Sequence, residues 1–329
     1  MLKKLRFGGL AFVFMLSMVL AACGSSGDSS EGGSATNGGG SSEGEGTATE
    51  ENTGEGSASG AKLGDKDITI PYVSWAGAVA STYTVAALLE NAGYEVTPKQ
   101  VSAGAMWSST ASGSADAFTA AWLPITHKDY WSQYKDSLEK VQKTIKKAPL
   151  GLTVPSYVKI DSIADMKGNK KLGEATEWTI TGIDPGAGEM DATRKGKKKY
   201  GLEKWKLQSS SGPAMTAALS KAIENKKPII VTLWKPHWAF AEWDLKILKD
   251  PKNIYGDSDS IYTVVNKKLK EQSPAAYKIL SQFNWDYDAM HVVMSNIHGG
   301  MKPEKAGQQF VKKHPDMVKK WTKGVEAAK

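Results

Sequence analysis

From Asp67 onward, short apolar runs alternate with stretches of helical periodicity, a rhythm that confines the chain to an α/β architecture. The runs Ile68–Val73, Tyr94–Val96, Ala117–Ala121, Gly151–Val154, Trp178–Ile183 and Pro228–Leu233 predict strands. Val85, Leu88 and Leu89 keep helical spacing within a helix near Val79–Asn91. Further helices are expected from Ala105, around Tyr130 to Tyr134, after Pro185 and after Pro213. In the last of these Met215, Ala218, Leu219, Ala222 and Ile223 share one face. From about Ile261 the chain reads as helices, the final one interrupted at Pro315. Two α/β lobes follow. The chain crosses near residue 151 and returns near Ser260–Val265, giving lobe I as 63–150 plus 266–329 and lobe II as 151–265.

The 329 residues, 40% of them hydrophobic, suffice for one or two packed cores. A single cysteine excludes an intrachain disulfide and any cysteine-built zinc or iron–sulfur site. Residues 24–62 stand apart: 12 Gly, 9 Ser, seven acidic residues against Lys62 and no aromatics, a composition that cannot bury a core. The formal net charge of +7 suits nucleic acid, anionic lipid or a cell-wall polymer, and does not choose among them. The one dense basic cluster, Arg194 to Lys199 around Gly196, reads as a solvated helix end or turn.

The first residues carry an address. Lys3, Lys4 and Arg6 precede an apolar stretch, Leu10 to Leu20, that is short for a membrane span of about 20 residues and is followed by small Ala21 and Ala22. Residues 1–22 are therefore expected to be a secretory signal peptide. Leu20-Ala21-Ala22-Cys23 resembles a bacterial lipobox, which implies lipidation of Cys23 after cleavage. Residues 23–62 then form a disordered tether with an r.m.s. reach of roughly 30 to 40 Å. The body is expected on the extracytoplasmic face of the cell membrane.

No nucleophile elbow, His-Glu-x-x-His or phosphate-loop motif is present, so the expectation is a binding protein and not an enzyme. His127, His237, His291, His298 and His314 are scattered, without metal-ligand spacing. Tryptophan is the anomaly, with 11 in the chain. Trp75, Trp122 and Trp234 each come within two residues of the end of a predicted strand, the edge where open α/β sheets bind ligands. Two facing lobes bring these indoles into one cleft, and their faces suit a quaternary ammonium, each contributing about 0.5 to 2 kcal/mol when desolvated. Core packing is the competing reading for each. Trp107, Trp131, Trp178, Trp205, Trp243, Trp285 and Trp321 read as packing residues, and Trp238 stays open.

A second polarity comes from Thr181-Gly182-Ile183-Asp184-Pro185-Gly186-Ala187-Gly188, a strand-to-helix loop whose glycines let backbone NH groups approach an anion. A glycine-rich turn without a ligand is the alternative. His127, five residues after Trp122, either points a ring NH at the same anion or caps a helix.

Val73-Ser74-Trp75, Ala121-Trp122-Leu123-Pro124-Ile125-Thr126-His127, Gly182-Ile183-Asp184-Pro185-Gly186 and Trp234-Lys235-Pro236-His237-Trp238 resemble the motifs of glycine betaine-binding proteins of ABC importers. The resemblance covers roughly 66–325. It implies a two-lobed, periplasmic-binding-protein-like fold (type II) with the ligand in the interlobe cleft. Trp75, Trp122 and Trp234 would box the trimethylammonium, while the NH groups of Gly182 and Ile183 and the side chain of His127 hold the carboxylate. It further implies a monomeric receptor that hands its ligand to a membrane permease, without cofactor, metal or nucleic-acid partner. Lys235 departs from the relatives, which carry a small polar residue there, and Gly77 stands where several of them carry an acidic one. The rivals are a choline or carnitine receptor of the same fold, and a surface lipoprotein that stacks its tryptophans on sugars.

Overall fold

The computed structural model describes residues 60–326. The expected signal peptide, Cys23 and nearly all of the expected tether lie outside the described residues. The strands are β1 (Asp67–Tyr72), β2 (Glu95–Gln100), β3 (Ala117–Leu123), β4 (Leu138–Ala148), β5 (Leu150–Pro155), β6 (Thr179–Thr181), β7 (Lys206–Gln208), β8 (Val231–Trp234), β9 (Leu245–Ile247) and β10 (Asp259–Asn266). Among them run α1 (Ala76–Ala92), α2 (Ala103–Ser112), α3 (Lys128–Tyr134), α4 (Lys170–Ala175), α5 (Gly188–Tyr200), α6 (Gly212–Glu224) and α7 (Ala239–Glu242). The C-terminal part adds α8 (Leu269–Gln272), α9 (Pro274–Gln282), α10 (Tyr287–His298), α11 (Pro303–Lys313) and α12 (Pro315–Trp321).

Two sets of strands build two lobes. In one, β1 pairs in parallel with β2, and β10 lies antiparallel between β3 and β4. Asp116 ties β1 to the start of β3: its NH donates to Thr69 O at 3.0 Å and its carboxylate accepts from Thr69 NH at 2.7 Å. In the other, five strands run in the order β7-β6-β8-β5-β9. β3 is buried along its whole length, so its alternation of faces carries no polar side and its sequence is apolar throughout apart from Thr119. α1 ends where Gly93 turns left-handed at φ 103° and returns its NH to the last turn, a conformation that favours glycine. α10 and α11 pack on α1.

The strand β10 corrects two expectations. Residues from Ile261 open in a strand, and that strand belongs with β3 and β4, so the chain has recrossed before Asp259. The expected lobe II range of 151–265 therefore ends too late. The β-branched Ile261, Thr263, Val264 and Val265 suit a pleated, buried surface, and their burial between two neighbours outweighs any helical reading. At the other end, Ala61 pairs with Val325 and Lys62 O accepts from Ala275 NH at 3.0 Å. The ordered body thus starts before the expected 63. The basic cluster lies on α5, with Lys197, Lys198 and Lys199 in its last turn, where they complement the helix dipole.

Candidate tryptophan-lined cleft

Trp75 occupies the N-cap position of α1, directly after β1, while Trp122 and Trp234 sit at the ends of β3 and β8. The topology brings these three buried indoles to one cavity. Trp122 and Trp234 stand nearly perpendicular, 81° apart with centroids 6.4 Å distant. Trp75 stacks on the His127 ring, at 5.8 Å and 22°. Such an arrangement presents π faces from two lobes to a common volume, with Met290 of α10, Gly77, Leu150, Ile261 and Pro236 supplying apolar wall between them.

His127 is buried, and its Nδ1 accepts from Trp122 NH at 3.0 Å. Burial holds its pKa down at about 3, so the ring is neutral with its proton on Nε2. It sits at the N-cap of α3 but makes no side-chain cap bond, so the capping alternative is not realised. Its loop is clamped from below. Asp259, buried at the start of β10, accepts from Ile125 NH at 2.7 Å and Thr126 NH at 3.0 Å.

Across the cleft, Ile183, Ala187, Gly188 and Glu189 line the wall at the start of α5. Met190 NH donates to Ala187 O at 3.0 Å, while the NH groups of Gly188 and Glu189, at the positive end of the helix dipole, have no acceptor among the described residues. Ile183 NH has only the thioether of Met190, at 3.3 Å and a weak acceptor, so it is free to take a better one. Gly182 does not fit its expected role. Its NH donates to Gln208 O at 2.8 Å, extending the β6–β7 pairing by one residue, and it is absent from the cavity wall. A side chain there would overlap Met190 Sδ, which explains the glycine through packing.

Contacts join the lobes around the cavity. Trp75 Nε1 donates to Asp184 Oδ2 at 3.0 Å, and Tyr130 Oη donates to Gly186 O at 3.0 Å. Burial pushes the Asp184 carboxyl up, opposed by its own backbone NH and the Trp75 indole. Trp238 packs outside the cavity, its ring against His298 at 3.4 Å, and Lys235 Nζ lies over the Phe240 ring at 4.5 Å. Asp259, Met290 and Glu189 had no sequence motif to mark them. No group of three or more metal-ligating side chains forms among the described residues, and no described helix is long and apolar enough to cross a membrane.

Residues 66–313 match the family model described as the substrate binding domain of ABC-type glycine betaine transport systems. A glycine betaine/carnitine transport binding protein, GbuC, of Listeria monocytogenes serotype 1/2a (strain 10403S) is 48% identical over 167 residues, 50% of this chain and 56% of that protein. The match thus spans little more than half the length of that curated relative. Lactococcal OpuAC, in a closed-liganded conformation with glycine betaine, superposes with a TM-score of 0.73 at 40% identity, covering 79% of this chain and 100% of that one. A glycine betaine/L-proline-binding protein (ProX) from Borrelia burgdorferi gives a TM-score of 0.74 at 33% identity, covering 78% and 97%. The fold is accordingly the two-lobed type II periplasmic-binding-protein architecture. Four motifs, three convergent indoles and a family match over most of the chain lead to one conclusion: this chain belongs to the substrate-binding domains of ABC-type glycine betaine transport systems.

Proposed function

We propose that the chain is an extracytoplasmic receptor that binds glycine betaine in the tryptophan cleft and delivers it to an ABC permease. The observation that carries this reading is the meeting of Trp75, Trp122 and Trp234 on one cavity that is also lined by the His127 ring and by the N-terminus of α5. A trimethylammonium donates no conventional hydrogen bond, so the indole faces hold it by cation–π attraction and shape. The carboxylate end takes the Ile183 NH, the His127 Nε2–H and the α5 dipole. Gly182, its NH bonded to Gln208, takes no part in holding the ligand. Lobe I then runs from residue 60 to the end of β4 and resumes at β10; lobe II spans β5 to β9. Anchoring through lipid on Cys23 and a monomeric state complete the proposal.

Calorimetric titration with glycine betaine, proline betaine, carnitine and choline tests it. Glycine betaine is expected to bind at least about tenfold tighter than choline, a gap of about 1.4 kcal/mol, because choline leaves the carboxylate donors unpaired. Trp122→Ala is expected to weaken both ligands. Equal affinity for choline and glycine betaine would replace this reading with the choline one.

A further inference from the structure

Glu189 has no part in the receptor reading, on which this inference rests. It occupies the first turn of α5, is 3% exposed, and lines the tryptophan cavity. Neither carboxyl oxygen completes a hydrogen bond among the described residues. An unpartnered buried carboxylate is unfavourable, and burial pushes the pKa of Glu189 up to about 8, tempered by the nearby backbone of Leu233 and Gly151.

Glu189 is the one carboxyl among the residues that line the cavity; Asp259 lies beneath the adjoining loop, its carboxylate taken up by the NH groups of Ile125 and Thr126. β5 and β8 contain no ionisable residue. The Tyr255 phenol, bonded to Thr193 at 2.8 Å, is held well above the ordinary phenol range by burial. His127, the other ionisable residue on the described cavity wall, is neutral. Asp184 is engaged by the Trp75 indole, and Asp191 pairs with Arg194 at the surface.

We propose that Glu189 sets which class of quaternary ammonium compound the cavity prefers: a zwitterion while its carboxyl carries a proton, and a cation once that carboxyl is ionised. The reason is electrostatic and does not depend on fine placement. A carboxylate in the wall attracts the whole charge of choline. A betaine feels attraction at its ammonium and repulsion at its carboxylate, which largely cancel. The uncharged acid removes this bias and leaves the Ile183 NH, the N-terminus of α5 and the His127 ring to select for a carboxylate. By linkage, choline binding near neutral pH expels the Glu189 proton, whereas glycine betaine binding does not.

The test titrates the full chain and its Glu189→Gln variant with glycine betaine and with choline at about pH 6 and about pH 9.5, where neither ligand changes its own charge. In the wild type the ratio of choline to betaine affinity is expected to rise at least about threefold at the higher pH. The Gln variant is expected to keep one ratio at both. If both ligands bind the wild type with an unchanged ratio, the receptor reading stands and this inference alone fails. The same rise in the Gln variant places the charge elsewhere and overturns it too. If neither ligand binds at either pH, the receptor reading itself fails and takes this inference with it.

Discussion

The indole of Trp75 donates to the carboxylate of Asp184 at 3.0 Å, joining residues 109 apart in the sequence. One follows β1 and the other lies between β6 and α5, so the bond spans the two lobes and fixes the plane of one ring of the cavity. A hydrogen bond to a charged group contributes about 1.5 to 3 kcal/mol. Asp184→Ala is therefore expected to weaken glycine betaine about tenfold or more and to favour a more open average shape. Titration and small-angle scattering read both, and a variant that matches the wild type in each would make the contact incidental.

Gly188 meets the opposite lobe closely enough that a methyl group on it would overlap the Thr126 carbonyl oxygen. Backbone cannot swing aside as a flexible side chain does. Gly188→Ala is expected to prop the cleft open, lowering glycine betaine affinity at least about tenfold, with little change in melting temperature because neither lobe's own core is altered. A large drop in melting temperature with unchanged affinity would contradict this.

His127 gives a pH signature. Its folded pKa, about 3, lies below the ordinary histidine value of 6.5, so the unfolded chain takes up a proton that the folded one refuses. The neutral ring's contribution is intact above pH 6.5 and is lost progressively as pH falls towards 3. His237, also buried with a pKa of about 3, acts in the same direction. Denaturant unfolding between pH 7 and pH 4 is expected to show falling stability, with a shallower fall in His127→Gln. At neutral pH, His127→Ala is expected to narrow the preference for glycine betaine over choline. Equal losses for both ligands would remove the ring from carboxylate recognition.

Asp259 accepts two backbone NH groups from the loop between Trp122 and His127. Asp259→Ala leaves both donors without their partner beneath the cavity and is expected to destabilise the fold by about 2 to 4 kcal/mol. It is also expected to weaken ligand binding, because the loop that aims His127 relaxes. Unfolding and binding measured on the same preparation separate these effects, and an intact affinity would show that the loop holds without the clamp.

The legible part of the site was the part written locally. A tryptophan at the end of an apolar run declares both its strand and its edge, which is why Trp75, Trp122 and Trp234 are readable without coordinates. Asp259 is not, since it acts on Ile125 and Thr126 from 134 and 133 positions away, and nothing near it in sequence names its partners. Gly182 carries the right motif, but its NH was claimed by Gln208, a pairing visible only once β6 and β7 are aligned. Met290 and Glu189 each sit in ordinary helical sequence, and only the direction of their helices brings them to the cavity. Likewise the break at Pro315 was plain, whereas the return of the chain through β10 depends on two strands on either side of it.

Ala148, the last residue of β4, is paired with Asp259, the first of β10. The outgoing and returning chains therefore leave the first lobe side by side as one two-ply strip. A single strand would act as a swivel, free to twist as well as bend. A pair bound edge to edge resists twist and sliding, and leaves flexing about one line as the soft motion. A cleft that opens and closes about such a strip returns its two halves to one register, so that the indoles meet their facing wall with little orientational search.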